Sequence, residues 1–199
     1  MLSSDGVPLL IHDETLERTT GGQGRVCELT AEIIRSYDAG AHHHPAYAVS
    51  PTPTLAEAIA CCQELGLWAN IEIKPASGHE SITGTTVGLW LAQHWNGCGV
   101  VSSFSSDALV AARHAGPMLP LASLFTRLPP DWREQTRRVG ASAIHLGAEH
   151  VSVIEAEALG ETPWACYTVN NLAEAKRLSA IGCRTIFTDR PDLWSSAEM

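Results

Sequence analysis

Two short stretches of this chain hold side chains that could do chemistry. The first is Asn70-Ile71-Glu72-Ile73-Lys74-Pro75. Its isoleucines read as a strand that Pro75 closes, and strand alternation then sets Asn70, Glu72 and Lys74 on one face. An acid and a base turned inward are costly to bury unless they hold each other, a metal ion or a charged ligand. Lys74 is one of only two lysines, with Lys176, so it is not one of a crowd of solubilising charges. The second stretch is the apolar run Val7-Pro8-Leu9-Leu10-Ile11, which ends abruptly in His12-Asp13 and continues through Leu16-Glu17-Arg18-Thr19-Thr20 to Gly21-Gly22. An apolar strand, then a polar cluster, then a glycine loop is the layout of a site built at a strand end. An imidazole at such a place titrates near neutrality and can pass a proton to or from a reacting oxygen.

The elements that must position these residues follow from periodicity. From residue 50 onward a strand–helix rhythm sets in, with strands expected at 68–74, 99–104, 119–125, 141–147, 164–170 and 183–189. Helical patterns fill the gaps. Thr54-Leu55-Ala56-Glu57 is a capping box opening a helix that Gly66 closes, and Asn171 opens another that ends before Gly182. Segments near 82–95, 106–115, 131–139 and 152–159 supply the others. Repeated strand–helix units imply a parallel sheet with right-handed crossovers. Each strand ends in something polar: Glu72 and Lys74, Ser103 and Phe104, His145, Tyr167 and Asn170, Thr188 and Asp189. That distribution favours a (β/α)₈ barrel, whose site is assembled from many strand ends, over an open sheet with one switch point. Six such strands and the short N-terminal run leave a closed eight-stranded barrel two strands short.

At 199 residues the chain reads as one domain, 1–199, large enough to bury a core. A net charge of −9 argues against nucleic acid and against stable association with anionic membranes, so an anionic substrate needs local cations. The six cysteines form no C-x-x-C pair and read as buried thiols rather than a disulfide frame or a zinc site. With no apolar run of membrane-spanning length and no leader pattern at the start, the expected compartment is the cytoplasm; an oligomer is compatible with this reading. His42-His43-His44 lie in a proline-bordered loop, where consecutive side chains do not converge on one ion, and read as solvated. Asp13 and Asp189 follow strand ends, where each either orients a neighbour or caps a helix.

Several motifs in order carry a resemblance: Asp5-Gly6 with His12-Asp13, Leu16-Glu17-Arg18-Thr19-Thr20, Pro53-Thr54-Leu55, Ala69-Asn70-Ile71-Glu72-Ile73-Lys74-Pro75, Ser102-Ser103-Phe104, Ser142-Ala143-Ile144-His145-Leu146, Tyr167-Thr168-Val169-Asn170 and Thr188-Asp189. Over almost its whole length the sequence resembles the glycerophosphodiester phosphodiesterases, particularly the cytosolic bacterial type linked to glycerol-3-phosphate uptake. The resemblance implies a (β/α)₈ barrel and hydrolysis of glycerophosphodiesters to sn-glycerol-3-phosphate and an alcohol. It implies a divalent cation, Mg²⁺ or Ca²⁺, and acid–base catalysis by two histidines. It makes His12 one of those histidines, Glu72 a metal carboxylate, Lys74 the cation for the phosphate, and Phe104, His145 and Tyr167 substrate contacts. The family's His-Arg-Gly and Glu-x-Asp segments, on its first two strands, have no counterpart in these residues. The metal site is therefore expected to be incomplete, and the alternative reading is an inactive, truncated remnant with at most weak phosphate-ester binding. A barrel phospholipase acting on membrane lipid is a third reading, against which the acidic charge counts.

Overall fold

A computed structural model describes residues 1–194. The chain divides into two compact units, Met1–Pro120 and Leu121 onward.

The first unit begins with a stretch held mainly by isolated bridges and packing. Leu9, Leu16, Val26, Ala31 and Ile34 form a small buried cluster. The short helix α1 (Ala31–Ser36), not foreseen from the sequence, starts where the Thr30 side chain accepts from the Ile33 N–H. The expected N-terminal strand is absent. Leu2 bridges Pro8 and Leu9 bridges Thr54, both antiparallel and both isolated. Pro8 has no N–H to give a ladder, and Leu10, 46% exposed, has no second layer to face.

Helix α2 (Leu55–Glu64) follows with the foreseen capping box: Thr54 accepts from the Glu57 N–H, and Glu57 accepts from the Thr54 N–H. Arg35 forks onto the same Glu57 at 2.6 and 2.8 Å, tying α1 to the start of α2. Strands β1 (Ala69–Glu72) and β2 (Gly99–Ser103) pair in parallel, Ala69 opposite Gly99 and Glu72 opposite Ser102. Between them runs α3 (Glu80–His94), and α4 (Ser106–Ala115) follows β2. Helices α3 and α4 touch backbone to backbone. A Cβ at Gly84 would lie 2.1 Å from the Ala108 carbonyl oxygen, and one at Gly88 2.8 Å from that of Ala112.

The second unit repeats the rhythm: β3 (Leu121–Phe125), α5 (Trp132–Val139), β4 (Ala143–Gly147), α6 (Val153–Leu159), β5 (Trp164–Tyr167), α7 (Leu172–Ala180) and β6 (Thr185–Ile186). Its strands lie side by side in chain order, all parallel. Ile144 and Leu146 of β4 turn to one face and join Trp132, Leu159, Trp164 and Leu178 in a buried cluster. His145 therefore turns to the other face. Asn171 caps α7, accepting from Ala173 and Glu174.

All six foreseen parallel strands are present, each shorter than expected. β1 ends at Glu72, so Lys74 lies just beyond the strand rather than on it, although the Ile73 N–H still donates to the Ser102 carbonyl (2.7 Å). The cysteine expectation holds in part. All six are free thiols, but only Cys166 and Cys183 are buried, and Cys61 and Cys98 are exposed. His42, His43 and His44 are exposed, as expected for a solvated loop.

Candidate active site

The C-terminal end of β1 delivers Glu72 and, two residues on, Lys74. Across β2, Asn70 accepts from the Ser102 hydroxyl at 3.0 Å, which fixes the polar face of β1. The buried Ser103 hydroxyl donates to the Ile73 carbonyl at 2.6 Å and accepts from the Ser105 N–H at 3.0 Å. This one side chain sets both the exit of β1, where Lys74 stands, and the exit of β2, where Phe104 stands half exposed.

Lys74 Nζ lies 3.2 Å from Glu72 Oε1, and the two side chains are each about a quarter exposed. The approach is off the direction of a hydrogen bond, and Oε1 is a buried oxygen without a hydrogen-bond donor. On its other side Lys74 Nζ donates to His12 Nε2 at 3.1 Å. His12 Nδ1 in turn donates to Asp13 Oδ1 at 2.6 Å. Arg18 closes the chain of contacts, its Nε on Asp13 Oδ2 and its Nη2 on Asp13 Oδ1 at 2.8 Å. The Arg18 guanidinium first, and His12 second, hold the Asp13 carboxyl well below the usual carboxylate range. The His12–Asp13–Glu14 segment is moored to the loop after Lys74 because Glu14 Oε1 accepts from the Ser77 N–H (3.2 Å) and hydroxyl (3.3 Å).

His12, Glu72 and Lys74 together line a cavity of about 280 Å³ whose other walls are largely apolar, including Leu9, Ile59, Ile71 and Ile73. His12, Asp13, Lys74 and Phe104 line a second, more open concavity beside it. Residues 62 positions apart in sequence are thus brought into direct contact. Asp13 contacts His12 and Arg18 rather than a helix start, whereas Asp189 receives a hydrogen bond from Asn170 (3.2 Å). Arg18, Ser103, Glu14 and Ser77 were not singled out as site residues, since nothing in a single sequence distinguishes a serine that clamps two strand exits from one that faces water.

In the second unit, His145 is buried, 3% exposed, with its ring against Phe187 at 5.1 Å between centroids. Its Nδ1 has no hydrogen-bond partner, and burial lowers its pKa from 6.5 to about 4, so the ring is neutral. On the adjacent strand the Tyr167 hydroxyl donates to the Phe125 carbonyl at 2.9 Å.

The residues present fit a divalent cation only in part. The orphaned Glu72 oxygen is the kind of hard donor Mg²⁺ or Ca²⁺ takes. Among the described residues, however, no group of three or more His, Cys, Asp or Glu side chains converges on a common point. Such cations need several oxygens, and one carboxylate does not make a tight site.

The fold and this site define a parallel α/β protein of the TIM-barrel type with a carboxylate and a lysine at a strand end and an imidazole beside them. Residues 1–193 match the Glycerophosphoryl diester phosphodiesterase family, and the chain belongs to that family. It is 30% identical to a glycerophosphodiester phosphodiesterase of Bacillus subtilis over 97% of this chain and 72% of that protein. It is likewise 30% identical to one of Caldanaerobacter subterraneus over 96% of this chain and 80% of that protein. Among solved structures it is similar to an Oleispira antarctica phosphodiesterase in complex with the product sn-glycerol-3-phosphate, with a TM-score of 0.92 and 29% identity over 97% of this chain and 80% of that one. No helix among the described residues is long and apolar enough to cross a membrane.

Proposed function

We propose that this chain, acting as a single phosphodiesterase domain, hydrolyses glycerophosphodiesters to sn-glycerol-3-phosphate and an alcohol. The observation that carries the reading is the contact of Lys74 with both His12 and Glu72 at the mouth of one cavity. A phosphodiester is an anion, and on a chain of net charge −9 it needs a fixed cation where it binds. Lys74 supplies it. The imidazole of His12, beside that cation, is placed to accept a proton from an attacking hydroxyl or to return one to the leaving alkoxide. Phe104 offers an apolar surface for the three carbons of glycerol. His145 and Tyr167 carry the family's substrate-contact assignment, and the unpartnered Nδ1 of His145 supports it, since a buried nitrogen without a partner is costly unless a ligand supplies one.

Mg²⁺ or Ca²⁺ is the cofactor this reading implies, with Glu72 the chain's own ligand. When bound, such an ion neutralises charge on the phosphate. The described residues supply only part of its coordination. The cytoplasm is the compartment this reading expects.

A second reading, a phosphate-ester binder without turnover, is favoured by the same lack of a converging carboxylate cluster among the described residues. One assay separates the two. Release of sn-glycerol-3-phosphate from glycerophosphocholine is followed with Mg²⁺ and with Ca²⁺, beside calorimetric binding of sn-glycerol-3-phosphate. The phosphodiesterase reading expects turnover that falls by roughly 10²-fold in His12→Ala. Binding with no turnover in any metal is the outcome of the second reading.

A further inference from the structure

We infer that Asp13, clamped by Arg18, is a positioning residue that holds His12 in the Nδ1–H tautomer and so presents its Nε2 lone pair to the cavity. This deepens the hydrolase reading, on which its catalytic consequence rests; the tautomer itself does not depend on that reading.

The two shorter contacts to the ring require the same tautomer, against one longer contact, Arg18 Nη2 at 3.3 Å from Nδ1, which favours the other. Asp13 is an ionised carboxylate and can only accept, so the 2.6 Å contact places the ring proton on Nδ1. The Lys74 ammonium can only donate, so the 3.1 Å contact requires a lone pair on Nε2. A neutral imidazole free in water prefers the opposite tautomer, and the His12 side chain is 64% exposed, so the 2.6 Å Asp13 and 3.1 Å Lys74 contacts must outweigh both that preference and the 3.3 Å approach of Arg18 Nη2 to Nδ1. Arg18 adds the geometry. Its planar fork engages both Asp13 oxygens, fixing the carboxylate plane so that Oδ1 stays turned to Nδ1. It also keeps that carboxylate ionised, which rules out a protonated Asp13 donating in the reverse sense.

The chemical consequence is specific. In the opposite tautomer Nε2 carries the proton, and the nitrogen facing the cavity is neither a base nor an acceptor for Lys74. A carboxylate on the remote nitrogen also stabilises the imidazolium that forms when Nε2 takes a proton, the role such a group plays in carboxylate–histidine pairs generally. The positioning and the charge therefore act in one direction.

The test is ¹⁵N NMR of the imidazole nitrogens in the 199-residue chain at a pH where His12 is neutral, its signals assigned against His12→Gln. The expected pattern is a pyrrole-type Nδ1 and a pyridine-type Nε2. In Asp13→Asn the amide can donate to Nδ1 as well as accept from it, and the pattern should move toward the Nε2–H form. Arg18→Gln removes both the fork on Asp13 and the donor near Nδ1, so its shift should be smaller than that of Asp13→Asn, since Asp13 remains. Hydrolysis of glycerophosphocholine by Asp13→Asn should lose about 10–10²-fold in kcat with KM nearly unchanged. A wild-type His12 in the Nε2–H form overturns the inference. So does an Asp13→Asn variant with an unaltered nitrogen pattern, whatever happens to its melting temperature. If neither chain turns over substrate, the hydrolase reading fails while the nitrogen shifts still decide the positioning role.

Discussion

Lys74 stands between Glu72 and His12, 3.2 Å from a carboxylate oxygen of one and 3.1 Å from the Nε2 of the other. As a structural ion pair, Glu72–Lys74 is only partly open to water: both side chains are about a quarter exposed and Glu72 Oε1 is buried, so breaking it costs more than the roughly 1 kcal/mol of an exposed pair. Lys74→Ala should therefore lower the melting temperature and, as the distinguishing effect, weaken sn-glycerol-3-phosphate binding by about 10-fold or more, as expected for loss of a cation from a phosphate contact. Glu72→Gln should leave that binding in place and raise the metal concentration needed for activity. Calorimetry with sn-glycerol-3-phosphate, run beside thermal melts and a metal titration of turnover, checks both. A large loss of stability in either variant with unchanged ligand and metal response would return the pair to a structural role.

The backbone approach of α3 to α4 gives a prediction of opposite kind, with no bearing on chemistry. Gly84→Ala would gain up to about 1 kcal/mol of helix propensity, which taken alone is stabilising. The added methyl meets the Ala108 carbonyl oxygen at 2.1 Å, and that atom is backbone, held in its own helix. Overpacking of this sort costs about 1–3 kcal/mol, so the clash should win and the variant should be less stable. Gly66→Ala is the control. It meets nothing within 4 Å, but its φ of +64° strains any other residue, so it should cost through backbone conformation alone. Urea unfolding of both variants measures the two costs separately.

What the sequence disclosed is the part that repeats. Alternation, capping boxes and closing glycines placed all six parallel strands and six of the seven α-helices, because each signal is local. The stretch before Thr54 was misjudged for the same reason. Val7 to Ile11 has strand-like composition, but a strand needs a partner to pair with, and here the backbone finds only single bridges. In the site, Glu72 and Lys74 were legible because charge within an apolar strand is locally conspicuous. Their meeting with His12, and the Arg18 fork on Asp13, depend on the path of the intervening chain. The Ser103 clamp was illegible, since it acts through a backbone carbonyl of another strand.

His145 makes stability depend on pH in a definite direction. Its folded-state pKa, about 4, lies below the ordinary 6.5 because burial disfavours the charged ring. Between those values the unfolded chain binds a proton at this residue and the folded chain does not. Stability from this source is thus fully present above about pH 6.5 and is lost as the pH falls toward 4. At 1.36 kcal/mol per pH unit, the loss between pH 7 and pH 5 is about 2 kcal/mol. Exposed carboxylates held low by Arg18, Arg35 and Arg177 give the same sign, so the wild-type slope alone does not isolate the histidine. His145→Gln, which keeps polarity without titrating, does. Urea unfolding of both proteins at pH 7 and pH 5 should show the wild type losing about 2 kcal/mol more than the variant across that interval. Equal losses would mean that water reaches the His145 ring in the folded state and that its burial does not govern its titration.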